Sequence, residues 1–103
     1  MKQFRHGDVF IKEVAALPQG AVQAARDHGD VILAYGEVTG HAHRIKEATV
    51  TLWNVGEQRY LTVERPSDLT HEEHHTITLP PGTYEVVQQR EYSDERVTRA
   101  VAD

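Results

Sequence analysis

The sequence predicts one small all-β domain over residues 1–103, built mainly of antiparallel strands. A length of 103 residues leaves room for a single hydrophobic core. Short segments rich in β-branched residues are separated by Gly- and Pro-containing breaks along the chain. This spacing is typical of a small barrel or sandwich of about seven to nine short strands, with room for one short helix.

The first half of the chain supplies two predicted strands and one ambiguous segment. Residues 8–14 have a β-like pattern, and Val31–Tyr35 is a β-branched run between Gly29 and Gly36. The segment between these strands, residues 15–30, becomes rich in alanine after Pro18 and Gly20. It is predicted to form a helical turn or two, or a loop.

The second half begins with a predicted hairpin. Residues 49–53 and 60–63 flank a turn that contains Gly56, a common arrangement in β-hairpins. Trp53 and Tyr60 are expected to pack against each other across the two strands.

Three further strands are predicted near the C-terminus. Residues 76–79 and 84–87 are separated by Pro80-Pro81-Gly82, in which proline fixes φ and glycine accepts a positive φ. This pattern predicts a strand, a turn and a second strand. Residues 97–101 are the candidate for the last strand.

Composition and charge argue against several functions. Sixteen acidic residues against eleven basic ones give a net charge of −5, which opposes binding to nucleic acid. The absence of cysteine excludes disulfides, thiolate metal sites and cysteine nucleophiles. Apolar runs are far shorter than the roughly 18 residues of a membrane span. We therefore expect a cytoplasmic protein without nucleic-acid or membrane partners, and self-association into a homo-oligomer stays open.

Histidines form the main functional signal, because five of the seven fall into two clusters. The first is His41-Ala42-His43, which on a strand places both imidazoles on one face, about 6 to 7 Å apart. Ile45 would lie on the same face. Ala42 and Arg44 would face outward. One metal ion can bridge two imidazoles at this separation.

The second cluster, residues 71–75, has two interpretations. On a helix, His71 and His75 would be zinc ligands and Glu72 the general base of an H-E-x-x-H hydrolase, which requires a helix over residues 67–75. In a turn that enters a strand, His71 and His74 would face the site, and His75 is the substitute for His74. The short distance to the following strand favours the turn.

The combined pattern predicts one divalent transition metal, Zn, Fe, Ni or Mn, bound by His41, His43, His71 and His74. If one coordination position stays open to water, Glu72 or its neighbour Glu73 would act as general base. The predicted function is then that of a metal-dependent hydrolase or oxygenase with a small-molecule substrate. The alternative is a binding or assembly module without catalysis.

Two short segments carry a resemblance to a known family. Residues 40–47, with Gly40, His41, His43 and Glu47, resemble the first motif of the cupins, and residues 80–85 resemble the second, with Glu85 in place of its histidine. The resemblance implies His41, His43 and Glu47 as ligands of one metal in a jelly-roll barrel, with the two motifs on paired strands. Residues 36–43 and 79–84 are also similar to small bacterial and phage proteins.

The other two histidines are expected to lie outside the site. His6, followed by Gly7 and Asp8, is expected at the exposed start of a strand, although it could bring a further imidazole or carboxylate. His28 lies beside Gly29 in a predicted loop and is expected to be solvated.

Overall fold

The computed structural model describes residues 1–89 in full and, beyond them, only the backbone pairing of residues 91–92 and 98–99. Within these residues the chain forms β-strands and no helix. The strands are β1 (Gln3–His6), β2 (Val9–Val14), β3 (Val22–Gln23), β4 (Val31–Tyr35), β5 (Ala42–Ile45), β6 (Val50–Val55), β7 (Gln58–Val63), β8 (Ser67–Thr70), β9 (Ile77–Leu79), β10 (Gly82–Gln88), β11 (Glu91–Tyr92) and β12 (Thr98–Arg99).

Two antiparallel sheets make up the fold. The six-stranded sheet has the order β1-β2-β10-β7-β6-β3, and the four-stranded sheet has the order β4-β5-β8-β9. Strands β11 and β12 pair with each other. The chain passes repeatedly from one sheet to the other. Because both sheets are antiparallel and the described residues form no helix, the predicted all-β, antiparallel class is confirmed.

Both sheets contribute to one hydrophobic core, as in a β-sandwich. The largest fully buried side chain is that of Tyr84 on β10, whose hydroxyl donates a hydrogen bond to Pro80 O at 2.6 Å. The buried core residues are Val9, Ile11, Val31, Leu33, Ala34, Ile45, Val50, Leu52, Leu61, Val63, Leu69, Leu79, Tyr84 and Val86.

The predicted hairpin is present as β6 and β7. Gly56 opens its two-residue turn with a φ of 60°, a conformation that glycine adopts without steric penalty. Trp53 pairs directly with Tyr60 in the register of the two strands, as expected. Trp53 Nε1 also donates a hydrogen bond to Thr62 Oγ1 at 2.9 Å.

Of the alternatives left open for residues 15–30 and 67–75, neither helix is present in the described residues. Residues 15–30 contain the short strand β3 and a turn near Asp27 and Asp30 instead of helical turns. Residues 67–75 begin with β8, which pairs with β5 on one side and β9 on the other. These pairings make Ser67–Thr70 a strand, and residues 72–74 form a bend, which excludes the H-E-x-x-H helix.

The sheets hold more strands than predicted, because polar β1 and the short strands β3 and β8 gave little periodic signal. Residues 80–81 connect β9 to β10 through a bend at Pro81, and Gly82 already belongs to β10. The two strands lie in different sheets: β9 pairs with β8, whereas β10 lies between β2 and β7. Strands β5 and β10, which carry the cupin-like segments, are therefore not paired as that resemblance implies. Of the strand predicted over residues 97–101, only 98–99 lie within the described residues.

None of the described residues belongs to a helix that is long and apolar enough to cross a membrane. A cytoplasmic location stays a prediction.

Candidate metal centre

The candidate site lies where β5 begins and β8 ends. Arg44 pairs with Thr70 and Ile45 with Leu69 in the antiparallel register of these strands. Extending that register by one residue brings His43 opposite His71, because in an antiparallel pair one step back along β5 corresponds to one step forward along β8. The two sequence clusters therefore meet at one end of the four-stranded sheet.

Five imidazole rings pack together at this end, and we call them the histidine cluster. The closest ring centroids are those of His43 and His71 at 4.5 Å, His71 and His74 at 4.7 Å, and His6 and His43 at 4.9 Å. His41 joins through His71, at 5.7 Å between centroids. The cluster comprises His6, His41, His43, His71 and His74.

His6 is the member that the sequence did not predict. It ends β1 at a tight turn through Gly7, which has a φ of 63°, and only 3% of the residue is exposed. The expected exposed start of a strand is thus wrong, since the turn directs both His6 and Asp8 inward. His6 Nε2 contacts His75 O at 2.8 Å, and His6 Nδ1 contacts His43 Nδ1 at 2.8 Å.

These contacts assign the protons on the neutral His6 and His43 rings. The carbonyl of His75 only accepts, so His6 Nε2 carries a proton and His6 Nδ1 is an acceptor. His43 Nδ1 must then donate across the 2.8 Å contact. The lone pair of neutral His43 consequently lies on Nε2, which is 3.4 Å from Asp8 Oδ1.

Asp8 is held firmly in this position. Its Oδ2 accepts a hydrogen bond from Gln88 Nε2 at 2.9 Å, and its backbone oxygen accepts one from Gln89 N at 2.8 Å. Both Asp8 and His43 are buried, with 4% and 0% of the residue exposed. The carboxylate and the imidazole therefore face each other in a space that solvent does not reach.

A second group of donor atoms lies toward the surface. One side-chain donor atom from each of His41, His71 and Glu72 lies within 4.8 Å of the other two. Glu72 Oε1 accepts a hydrogen bond from Ala42 N at 3.0 Å, and Glu72 Oε2 lies 3.6 Å from Arg44 Nη2. Partial desolvation opposes ionisation, but the Ala42 hydrogen bond and the Arg44 charge lower the pKa of Glu72, so its carboxylate is ionised at neutral pH.

Burial keeps the inner imidazoles neutral. Desolvation, followed by the neighbouring His71 and His6, lowers the pKa of His43 to about 4. Desolvation also lowers the pKa of His6, against the opposing hydrogen bond to His75 O. Neutral imidazole is the form that binds metals, so these rings need not lose a positive charge before coordination.

The structure brings together the four predicted ligands His41, His43, His71 and His74 and places other candidates elsewhere. His75 is exposed, and Glu47 Oε2 accepts a hydrogen bond from Asp68 N at the opposite end of the β5–β8 pair. Glu85 lies on β10, opposite Tyr60 and Lys12.

The remaining predicted positions flank the cluster or lie apart from it. Glu73 Oε2 lies 3.4 Å from His41 Nδ1. Ala42 is buried, contrary to the predicted outward orientation, because residues 71–74 cover this end of β5. The side chain of His28 is 96% exposed, as expected.

A family model described as Domain of unknown function (DUF8820) matches residues 5–89. The chain belongs to the DUF8820 family. The matched region contains every residue of the histidine cluster, together with Asp8 and Glu72.

The DUF8820 chain is also similar to a segment of human tyrosine-protein phosphatase non-receptor type 13. The two are 37% identical over 76 residues, which is 72% of this chain and 3% of the phosphatase. The similarity thus covers a small part of that relative. No solved structure matches the DUF8820 chain.

Proposed function

We propose that this chain is a transition-metal-binding domain that holds a divalent ion at His41, His71 and Glu72. The observation that carries the proposal is the mutual distance of at most 4.8 Å between one donor atom of each residue. Two imidazoles and one carboxylate are the ligands of many catalytic zinc sites and of non-haem Fe(II) oxygenases. The ion is therefore one of Zn, Fe, Ni or Mn.

Glu72 suits the third position better than His43. Both nitrogens of His43 face protein groups, His6 Nδ1 and Asp8 Oδ1, whereas Glu72 presents an ionised carboxylate beside His41 and His71. Its hydrogen bond from Ala42 N fixes the carboxylate at the start of β5. This assignment makes Glu72 a ligand instead of the general base predicted from the sequence.

Three protein ligands leave coordination positions for water and substrate. A bound zinc ion lowers the pKa of such a water to about 7, whereas iron supports reactions with oxygen. His41 has 22% of its side chain exposed, so a small molecule can approach from this side. Glu73, next to His41, becomes the candidate general base of a hydrolytic reaction.

The test is the metal content of untagged protein after gel filtration, measured by elemental analysis. We expect bound metal in the wild type and the loss of one ion per chain in a His41→Ala/His71→Ala double variant. His28→Ala/His75→Ala is the matched control, because it removes two exposed imidazoles outside the histidine cluster. Absence of metal in the wild type, even after addition of Zn, Fe, Ni or Mn, would contradict the proposal and favour the non-catalytic binding module.

Metal removal separates a catalytic role from a structural one. An open three-ligand site is expected to leave the metal-free domain folded, because both sheets share a core that does not include the ion. Unfolding on addition of a chelator would instead indicate a structural metal.

A further inference from the structure

The metal-binding side chains at this end of the fold outnumber the ligands that one ion takes. A tetrahedral zinc site uses four ligands. Both ring nitrogens of His6 are engaged in hydrogen bonds. Three further side chains of this region take no part in the outer group of His41, His71 and Glu72. These are His43, His74 and Asp8.

His43 and Asp8 present two lone pairs to each other in a buried space. The proton assignment above leaves His43 Nε2 without a hydrogen, and Asp8 Oδ1 is a carboxylate oxygen. Both atoms are buried without a hydrogen-bond partner. Two facing acceptors that lack a donor destabilise a folded protein, so the pair calls for a positively charged occupant.

The separation of the two atoms fits a bound metal ion. Metal bonds of about 2.0 to 2.1 Å at a tetrahedral angle place two ligand atoms about 3.3 to 3.4 Å apart. The observed distance from His43 Nε2 to Asp8 Oδ1 is 3.4 Å. The His74 ring stacks on His43 at 5.7 Å between centroids, and His74 Nε2 is also buried without a hydrogen-bond partner.

We propose that the histidine cluster holds two metal ions, an outer ion at His41, His71 and Glu72 and an inner ion between His43 and Asp8, beside His74. This inference rests on the proposed function and adds a second site to it. The rings of His43 and His71 are 4.5 Å apart, so the two ions would be neighbours.

Metal stoichiometry tests the inference. Metal-free, untagged protein is titrated with Zn²⁺, desalted, and measured for zinc and protein. We expect two ions per chain in the wild type, one in Asp8→Asn and one in His41→Ala. Asp68→Asn, an exposed aspartate on β8, is the matched control and should retain two.

Different failures lead to different conclusions. One ion in the wild type would overturn the inner site and leave the proposed function intact, whereas no ion would overturn both. Two ions in both the wild type and Asp8→Asn would overturn the assignment of Asp8. If Asp8→Asn fails to fold, His43→Gln takes its place, with one ion expected and two ions contradicting the inner site.

A second readout tests the proton assignment itself. An asparagine at position 8 offers an N–H donor to His43 Nε2 and keeps an oxygen for Gln88, so metal-free Asp8→Asn should unfold at a higher temperature than metal-free wild type. A lower unfolding temperature would contradict the facing lone pairs on which the inner site depends.

Discussion

His6 Nδ1 and His43 Nδ1 lie 2.8 Å apart in the protein interior, although 37 positions separate the two residues in the chain. The contact joins the β1–β2 turn of the six-stranded sheet to β5 of the four-stranded sheet. It fixes the orientation of both rings, because His6 is also bound to His75 O. The histidine cluster is therefore part of the packing between the sheets.

Replacing His6 should destabilise the fold. His6→Ala removes a buried ring and leaves His75 O and His43 Nδ1 without their partner, which should lower the free energy of unfolding by about 2 to 4 kcal/mol. Urea unfolding of metal-free protein measures the change. His28→Ala is the control, with an expected change within about 0.5 kcal/mol, and equal effects of the two variants would contradict the interior role of His6.

Lowering the pH should destabilise the metal-free protein from about pH 6.5 downward, which is above the range in which carboxylates titrate. The pKa of His43 is about 4 in the folded state and near 6.5 when unfolded, so the unfolded chain binds the proton first as the pH falls. Stability should be constant above pH 6.5 and decrease by about 3 kcal/mol between pH 6.5 and 4 from His43 alone. The lowered pKa of His6 acts in the same direction.

Urea unfolding at several pH values measures this dependence. His43→Gln should flatten the slope between pH 6.5 and 4, because it removes the titrating ring. An unchanged slope in His43→Gln would assign the pH dependence to other groups.

Glu72→Gln should separate metal binding from folding. A glutamine oxygen can still accept the hydrogen bond from Ala42 N, so stability should change little, but the negatively charged ligand is lost. We expect loss of this charged ligand to remove about 1.4 kcal/mol or more of the binding free energy, which corresponds to a fall in zinc affinity of about tenfold or more. Competition with a chromophoric chelator measures it, and Glu57→Gln, at an exposed glutamate of the β6–β7 turn, is the control. Equal affinities for Glu72→Gln and wild type would exclude Glu72 as a ligand.

Metal binding should release the amide of Glu73. Glu73 N donates a hydrogen bond to His71 Nδ1 at 3.0 Å, so a neutral His71 ring has its lone pair on that atom. An ion bound there takes the place of the amide proton. Hydrogen exchange of the Glu73 amide, followed by NMR, should become faster when zinc is added. Unchanged exchange in zinc-loaded protein would place the ion elsewhere on His71.

The β6–β7 hairpin should depend on the backbone of Gly56. Its φ of 60° disfavours residues with a Cβ, although no other atom lies within 4 Å of the position that a Cβ would occupy. Gly56→Ala should therefore lower the free energy of unfolding by about 1 to 2 kcal/mol through backbone strain alone. Thermal unfolding measures the effect against Glu57→Ala, and a smaller loss for Gly56→Ala than for Glu57→Ala would contradict the assignment.

Local sequence patterns predicted the strands that alternate and the turns that contain glycine or proline. They also identified His41 with His43 and His71 with His74 as two groups of candidate ligands, whereas the proximity of the two groups comes from the pairing of β5 with β8. They could not predict His6, since Gln3–His6 has a polar pattern and its burial arises from the packing of one sheet on the other. The choice between His74 and His75 depended on the bend at residues 72–74, which brings His74 into the cluster and leaves His75 exposed.

The alternation of the chain between the two sheets determines when the histidine cluster can form during folding. Its members come from the β1–β2 turn, from β5 and from the bend after β8, so the loops that separate them must close before the donors meet. Each proposed ion takes ligands from more than one of these segments, so it can bind only after they have come together. It would then slow unfolding without accelerating folding, and so extend the lifetime of the native state.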